Sequence, residues 1–82
     1  MNISSNTASE IRLSDFGLVA ALLTSHFNIL RTERDGRRMI FIFRASPELQ
    51  QAVTAYWSGS LCVSALQYFE TTKGLKSRIY SE

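Results

Sequence analysis

Residues 27–44 read FNILRTERDGRRMIFIFR, and this stretch decides the fold. Asp35-Gly36 is a strong hairpin signal because tight two-residue loops need positive φ, which Gly and Asp tolerate best. On either side the residues are β-branched, aromatic or long aliphatic, as pleated strands prefer. The reading is two strands, Phe27 to Arg34 and Arg37 to Arg44, around an Asp35-Gly36 loop. In that register Arg34 opposes Arg37, Glu33 opposes Arg38 and Leu30 opposes Phe41. One face then carries Leu30, Thr32, Met39, Phe41 and Phe43. The other carries Phe27, Ile29, Arg31, Glu33, Arg38, Ile40 and Ile42. Only the turn end is charged, and Glu33 is placed to pair with Arg38 across the strands.

Downstream, Ser46 is an N-cap, Pro47 takes the first helical position and Glu48 complements the helix dipole. Leu49, Ala52, Val53, Tyr56 and Trp57 form one apolar stripe at helical spacing, and Gly59 suits a left-handed stop. Leu61 to Val63 is a short extended link that could add a third strand. Ser64 and Gln67 make a capping box for a last helix, to about Ile79, with the stripe Ala65, Tyr68, Phe69, Thr72, Leu75 and Ile79. Gly74 inside it costs about 1 kcal/mol relative to Ala and marks a kink or a close contact. Upstream, Ser14 is the expected N-cap of a helix from Asp15 to Ser25, with a Leu13–Leu18 staple. Residues 1–11 read as a flexible polar arm and 12–82 as a single domain. The class is α+β, a β-hairpin packed with three helices in the order α-β-β-α-α.

Composition supports a folded chain: 45% hydrophobic and 20% charged over 82 residues excludes the low-hydrophobicity, high-charge class of disordered sequences. The single cysteine, Cys62, cannot form an internal disulfide and is expected buried. Residues 1–10 lack the basic start and apolar core of a secretory signal, and the longest apolar run, Phe16 to Leu23, is too short to span a bilayer. The expected location is the cytoplasm, without membrane association.

Asp35-Gly36-Arg37-Arg38, the strand Met39 to Phe43, Ala55-Tyr56-Trp57-Ser58-Gly59 and Leu75-Lys76-Ser77-Arg78-Ile79-Tyr80 together resemble a small prokaryotic and phage domain family of unknown function. Its members are similar in carrying Tyr-Trp-x-Gly and Leu-Lys-x-Arg-Ile-Tyr motifs in this order. The resemblance spans Leu13 to Tyr80. It implies a phage or mobile-element setting and brings no activity, substrate or catalytic residue. Gly74 departs from it, where a helix former is expected.

No catalytic constellation emerges. His26 closes the first helix, where an imidazole suits the dipole, and neither a nucleophile nor an orienting partner is nominated for it. One His, one Cys and scattered carboxylates supply no metal-ligand spacing, and Gly17, Gly36, Gly59 and Gly74 make no phosphate loop. The expectation is no enzyme, no metal and no cofactor. The functional candidate is the hairpin tip, where Arg31, Arg34, Arg37 and Arg38 present forks suited to phosphate. The competing assignment is a charged turn that solubilises the hairpin and protects a strand edge. A second basic set, Lys73, Lys76 and Arg78 beside Tyr80, competes with simple compensation of the helix dipole. Tyr56 and Trp57 are assigned to the core rather than to base stacking. These residues point to a non-enzymatic nucleic-acid-binding accessory or regulator. The alternative is a protein-binding adaptor or inhibitor encoded by a phage or mobile element. The face carrying Ile29, Ile40 and Ile42 is expected to be an interface, giving a homodimer or an obligate complex.

Overall fold

The computed structural model describes residues 9–81, with the side chain of Ser81 left aside. The elements are β1 (Glu10–Leu13), α1 (Phe16–Thr24), β2 (Ile29–Asp35), β3 (Arg38–Arg44), α2 (Pro47–Ser58) and α3 (Ala65–Ser81). The mixed α+β class and the three helices agree with the sequence reading. The order does not: it is β-α-β-β-α-α, because Glu10 and Ile11, read as part of a polar arm, begin a strand. Residues 1–8 of that arm lie outside the described residues.

The sheet is antiparallel in the order β1-β3-β2, so β3 is central and pairs on both edges. The open edge that Met39 to Phe43 would present in a lone two-stranded hairpin is therefore absent. It is covered by β1, which places Ile11 opposite Phe43 and Leu13 opposite Phe41, while Leu61 to Val63 contributes no strand. The hairpin register also differs. Asp35 opposes Arg38, Arg34 opposes Met39 and Glu33 opposes Ile40, so the loop is Gly36-Arg37. The backbone explains the shift. An Asp35-Gly36 loop of the type with two positive φ angles would force Asp35 into the left-handed region. With Gly36 as the first loop residue, its φ of 64° is the one positive angle required.

A register irregularity between Ile29 and Arg31 then inserts Leu30 as an extra residue. Ile29 consequently opposes Phe43 and packs on the core, while Leu30 turns outward. The expected common face of Ile29, Ile40 and Ile42 does not exist. Phe27, assigned to the same outer face, also packs against the core.

The core lies on the face of Met39, Phe41 and Phe43. Leu18, Val19, Ala20 and Leu22 of α1 join them, with Leu49 from α2 and Leu75 from α3. α1 is apolar almost all round and is buried accordingly, held against the sheet on one side and packed by α2 and α3 on the other. Its cap is Asp15 rather than Ser14: Leu18 N donates to Asp15 Oδ1 at 2.9 Å. Its stop is a Schellman turn, in which Phe27 N donates to Leu22 O and His26 N to Leu23 O, both at 3.0 Å. His26 occupies the position that usually holds Gly, at φ 76°. α2 begins and ends as its sequence dictates, with Leu49 N donating to Ser46 Oγ and Gly59 left-handed.

Both helical stripes pack on the core through Leu49, Ala52, Val53, Tyr56, Tyr68, Leu75 and Ile79, but Trp57 and Phe69, expected in them, are exposed. Cys62 is exposed as well, since the link after Gly59 runs over the surface instead of entering the sheet. No described helix is long and apolar enough to cross a membrane.

Candidate functional site

The arginines of β1 and of the hairpin from Arg31 to Arg38 divide into two groups, and strand register does the dividing. On the outer face of the sheet, Arg12 opposes Ile42 from β1, while Arg31 opposes Ile42 and Glu33 opposes Ile40 from β2. β1 and β2 are not neighbours, so any ion pair between them must cross over β3. Arg12 Nη2 reaches Glu33 Oε1 at 2.8 Å. Arg31 engages both carboxylate oxygens of Glu10 at 2.9 Å and stands 3.4 Å from Glu33. The aliphatic stems of these side chains roof β3 while their charged ends stay wet. Ile42 is consequently 0% exposed and Ile40 only 8%. The apolar patch that motivates a homodimer is closed within the chain. The pairing also holds the Glu10 carboxyl below the usual range, chiefly through its hydrogen bonds to Arg31, and Glu33 likewise through Arg12. The Arg31 guanidinium is pushed up by Glu10. Arg31 is thus committed to two carboxylates.

The other group sits at the hairpin tip. Arg37, the second loop residue, and Arg38, the first residue of β3, are exposed and have no ion-pair partner among the described residues. Arg34 faces the opposite way. It opposes Met39 on the core side, and its Nη2 donates to Ile79 O of α3 at 3.5 Å. A guanidinium there meets the partial negative charge of a helix C-terminus. This contact joins two segments that are 45 residues apart in sequence. It sets the Arg37-Arg38 tip beside the last turns of α3, where Lys76 and Arg78 are exposed. The hairpin tip and the C-terminal turns of α3 therefore lie at one end of the molecule.

On α3, Leu66, Phe69, Lys73, Lys76 and Tyr80 recur at three- and four-residue spacing and share one exposed face. That face is turned away from Tyr68, Leu75 and Ile79. Lys73 Nζ lies 5.2 Å from the centre of the Phe69 ring, in cation–π geometry. The sequence reading misses this face because it counts Phe69 with the buried stripe. Spacing of Leu66, Phe69 and Tyr80 about the two lysines carries the signal.

Residues 8–81 match the family described as a domain of unknown function, DUF5659. The chain belongs to that family. No protein of curated function and no solved structure matches it.

A second cluster lies where the three helices of this DUF5659 domain meet. Tyr68 Oη donates to Gly17 O at 3.3 Å, and a Cβ added at Gly17 would stand 2.6 Å from Tyr56 Oη. Burial pushes the Tyr56 phenol up, and the nearby Asp15 carboxylate and Tyr68 add to the shift. Tyr56 in turn holds Trp57 edge-on, with ring centres 5.0 Å apart. These tyrosines tie α2 and α3 to the start of α1, a structural role. The groove along α2 lined by Pro47, Gln50, Gln51, Thr54, Ala55, Ser58 and Ser60 contains no ionisable side chain. Among the described residues no three His, Cys, Asp or Glu side chains gather as a metal site would require.

Proposed function

We propose that this chain is a non-enzymatic module that binds nucleic acid, with Arg37 and Arg38 as the principal phosphate contacts. Lys73, Lys76 and Arg78 extend the same basic end. The observation that carries this reading is the contrast between the two arginine groups. Arg12 and Arg31 are paired with carboxylates, whereas Arg37 and Arg38 project from a tight turn and make no ion pair among the described residues, although Asp35 stands across the strands from Arg38. Exposed guanidinium forks on a rigid β-ribbon suit phosphate oxygens, and a ribbon of this kind fits a groove. Arg31 is left out because its fork is already occupied, and Arg34 acts as the strut between tip and helix.

The test is fluorescence anisotropy with short duplex and single-stranded DNA and RNA at two salt concentrations. Affinity is expected to fall steeply with salt, at a log–log slope of about 0.9 per phosphate contact on duplex DNA and about 0.7 on single strands. The Arg37→Ala/Arg38→Ala variant should bind more weakly and with a shallower slope. Absence of binding at low salt, or binding indifferent to that double substitution, sinks the reading.

The second reading is a protein-binding adaptor or inhibitor from a phage or mobile element. Trp57 favours it, since an exposed indole often anchors a protein interface, and it is 63% exposed. A stoichiometric protein partner recovered from a prokaryotic lysate, surviving nuclease treatment and lost with Trp57→Ala, selects this reading over the first.

A further inference from the structure

We infer that the nucleic acid this chain accepts is single-stranded and lies along the outer face of α3, with bases stacking on Phe69 and Tyr80 and phosphates on Lys73 and Lys76. The inference rests on the nucleic-acid reading above and names the form of the ligand and its path.

Five large hydrophobic or aromatic side chains are exposed among the described residues, and three of them, Leu66, Phe69 and Tyr80, stand on this one face. Phe69 is 57% exposed and Tyr80 84%. Exposing two rings that openly to water has no use within the fold, because α3 already packs through Tyr68, Leu75 and Ile79. Lys73 and Lys76 lie between the rings. Glu70, the one carboxylate of α3, is off the stripe and makes no ion pair with Lys73, whose ammonium sits over Phe69 instead. The face therefore offers flat apolar surface and positive charge in alternation.

Charge selects among the occupants. A second copy packed antiparallel across this stripe would centre on Lys73 and set it against its own counterpart, which is repulsive. A membrane surface needs a continuous apolar band, and here the band is broken by two lysines. Duplex nucleic acid satisfies the lysines but hides its base faces in the stack. A single strand satisfies both, since every base has a face to stack and every link a phosphate. From Phe69 to Tyr80 the helix rises roughly 16 Å, room for a few nucleotides. The Arg34 bond to Ile79 O then brings the strand, at the Tyr80 end, to Arg37 and Arg38. Cations and rings form one track from the middle of α3 to the hairpin tip.

The experiment compares a twelve-residue oligothymidylate, a duplex of the same length and an abasic twelve-residue strand, with polyglutamate and anionic vesicles as further probes. Oligothymidylate is expected to bind most tightly. Phe69→Ala and Tyr80→Ala should each weaken it about five- to a hundredfold, as loss of one stacked base does. Tyr80→Phe should retain it, and neither alanine variant should affect the weaker binding of the duplex or the abasic strand. Both sites are exposed, so circular dichroism should report an unchanged fold. If the duplex or the abasic strand binds as tightly as oligothymidylate, or the alanine variants bind it normally, the single-strand track is wrong while the Arg37-Arg38 reading stands. If polyglutamate or vesicles bind through Phe69 and Tyr80 and oligonucleotides do not, both readings fail.

Discussion

Gly17 is the position where one added methyl group meets the least room. It is the second residue of α1, and its backbone is crossed by the tyrosines of α2 and α3. A Cβ there would lie 2.6 Å from Tyr56 Oη, and 3.5 and 3.6 Å from Tyr68 Oη and Asp15 Oδ1. The last two are ordinary contacts. The first is roughly 1 Å short of the separation at which nonbonded heavy atoms settle, so the Tyr56 ring must swing. Forced repacking of this kind costs about 1–3 kcal/mol. Replacing Gly by Ala in a helix returns up to about 1 kcal/mol. Gly17→Ala is therefore expected to destabilise the chain by up to about 2 kcal/mol. In a Tyr56→Phe background the offending oxygen is gone, and the same substitution becomes neutral or stabilising by up to about 1 kcal/mol. The coupling, about 1–3 kcal/mol, is set by the relieved clash. Urea unfolding of the four proteins, followed by circular dichroism and by Trp57 fluorescence, measures it. A Gly17→Ala variant that is more stable than the parent, or that shifts stability equally in both backgrounds, refutes the packing assigned to this helix junction.

The remaining expectations concern the last helix, the first helix stop and the ion pairs on the sheet. Gly74 is exposed, and a Cβ there meets nothing within 4 Å, so Gly74→Ala should raise stability by about 0.5–1 kcal/mol in the same urea assay. His26→Gly removes a side chain from a left-handed position and should raise stability by up to about 1 kcal/mol, read as a higher thermal midpoint. Glu10 and Glu33 have depressed pKa values in the fold, so the unfolded chain binds more protons around their titration and stability must fall on acidification. That loss begins as pH drops below the ordinary glutamate pKa of about 4.3, and Glu10→Gln/Glu33→Gln should flatten this acid limb by lowering stability at neutral pH, where the charged pairs form, while changing it little at acid pH.

The sequence made most of the local structure legible because local chemistry governs it. Ser46-Pro47-Glu48 starts a helix and Gly59 stops it for reasons internal to four or five residues. The hairpin was legible as a hairpin for the same reason. What could not be read locally was parity. Whether Ile29 faces the core depends on a single extra residue at Leu30, and no composition signal distinguishes that residue from its neighbours. β1 was missed because four residues of alternating exposure, Glu10 to Leu13, become a strand only through a central strand already in place. The arginine-rich tip was visible as composition, but its division into paired and unpaired arginines was not. Arg31 finds Glu10 across 21 residues of sequence, and Arg34 finds Ile79 across 45.

Those long-range partners settle how so small a chain closes a three-stranded sheet with helices on only one face. The outer face has two large aliphatic residues on its central strand, Ile40 and Ile42, and no helix among the described residues covers them. A partner protein is one solution. The chain supplies another from its own flanking strands, by placing Arg12 and Glu10 on one side and Arg31 and Glu33 on the other, so that the Arg12–Glu33 and Arg31–Glu10 pairs span β3. Exposed ion pairs contribute little by their Coulomb energy. Here their value lies in fixing four long side chains over Ile42, where the methylene groups exclude water. The same arrangement engages the Arg12 and Arg31 guanidinium groups with carboxylates of the chain itself. Among the described residues, Arg37 and Arg38 at the turn and Lys73 and Lys76 on α3 are exposed cations without a carboxylate ion pair, as is Arg44 at the other end of β3. Covering the sheet and separating paired from unpaired arginines are thus two results of one strand alignment.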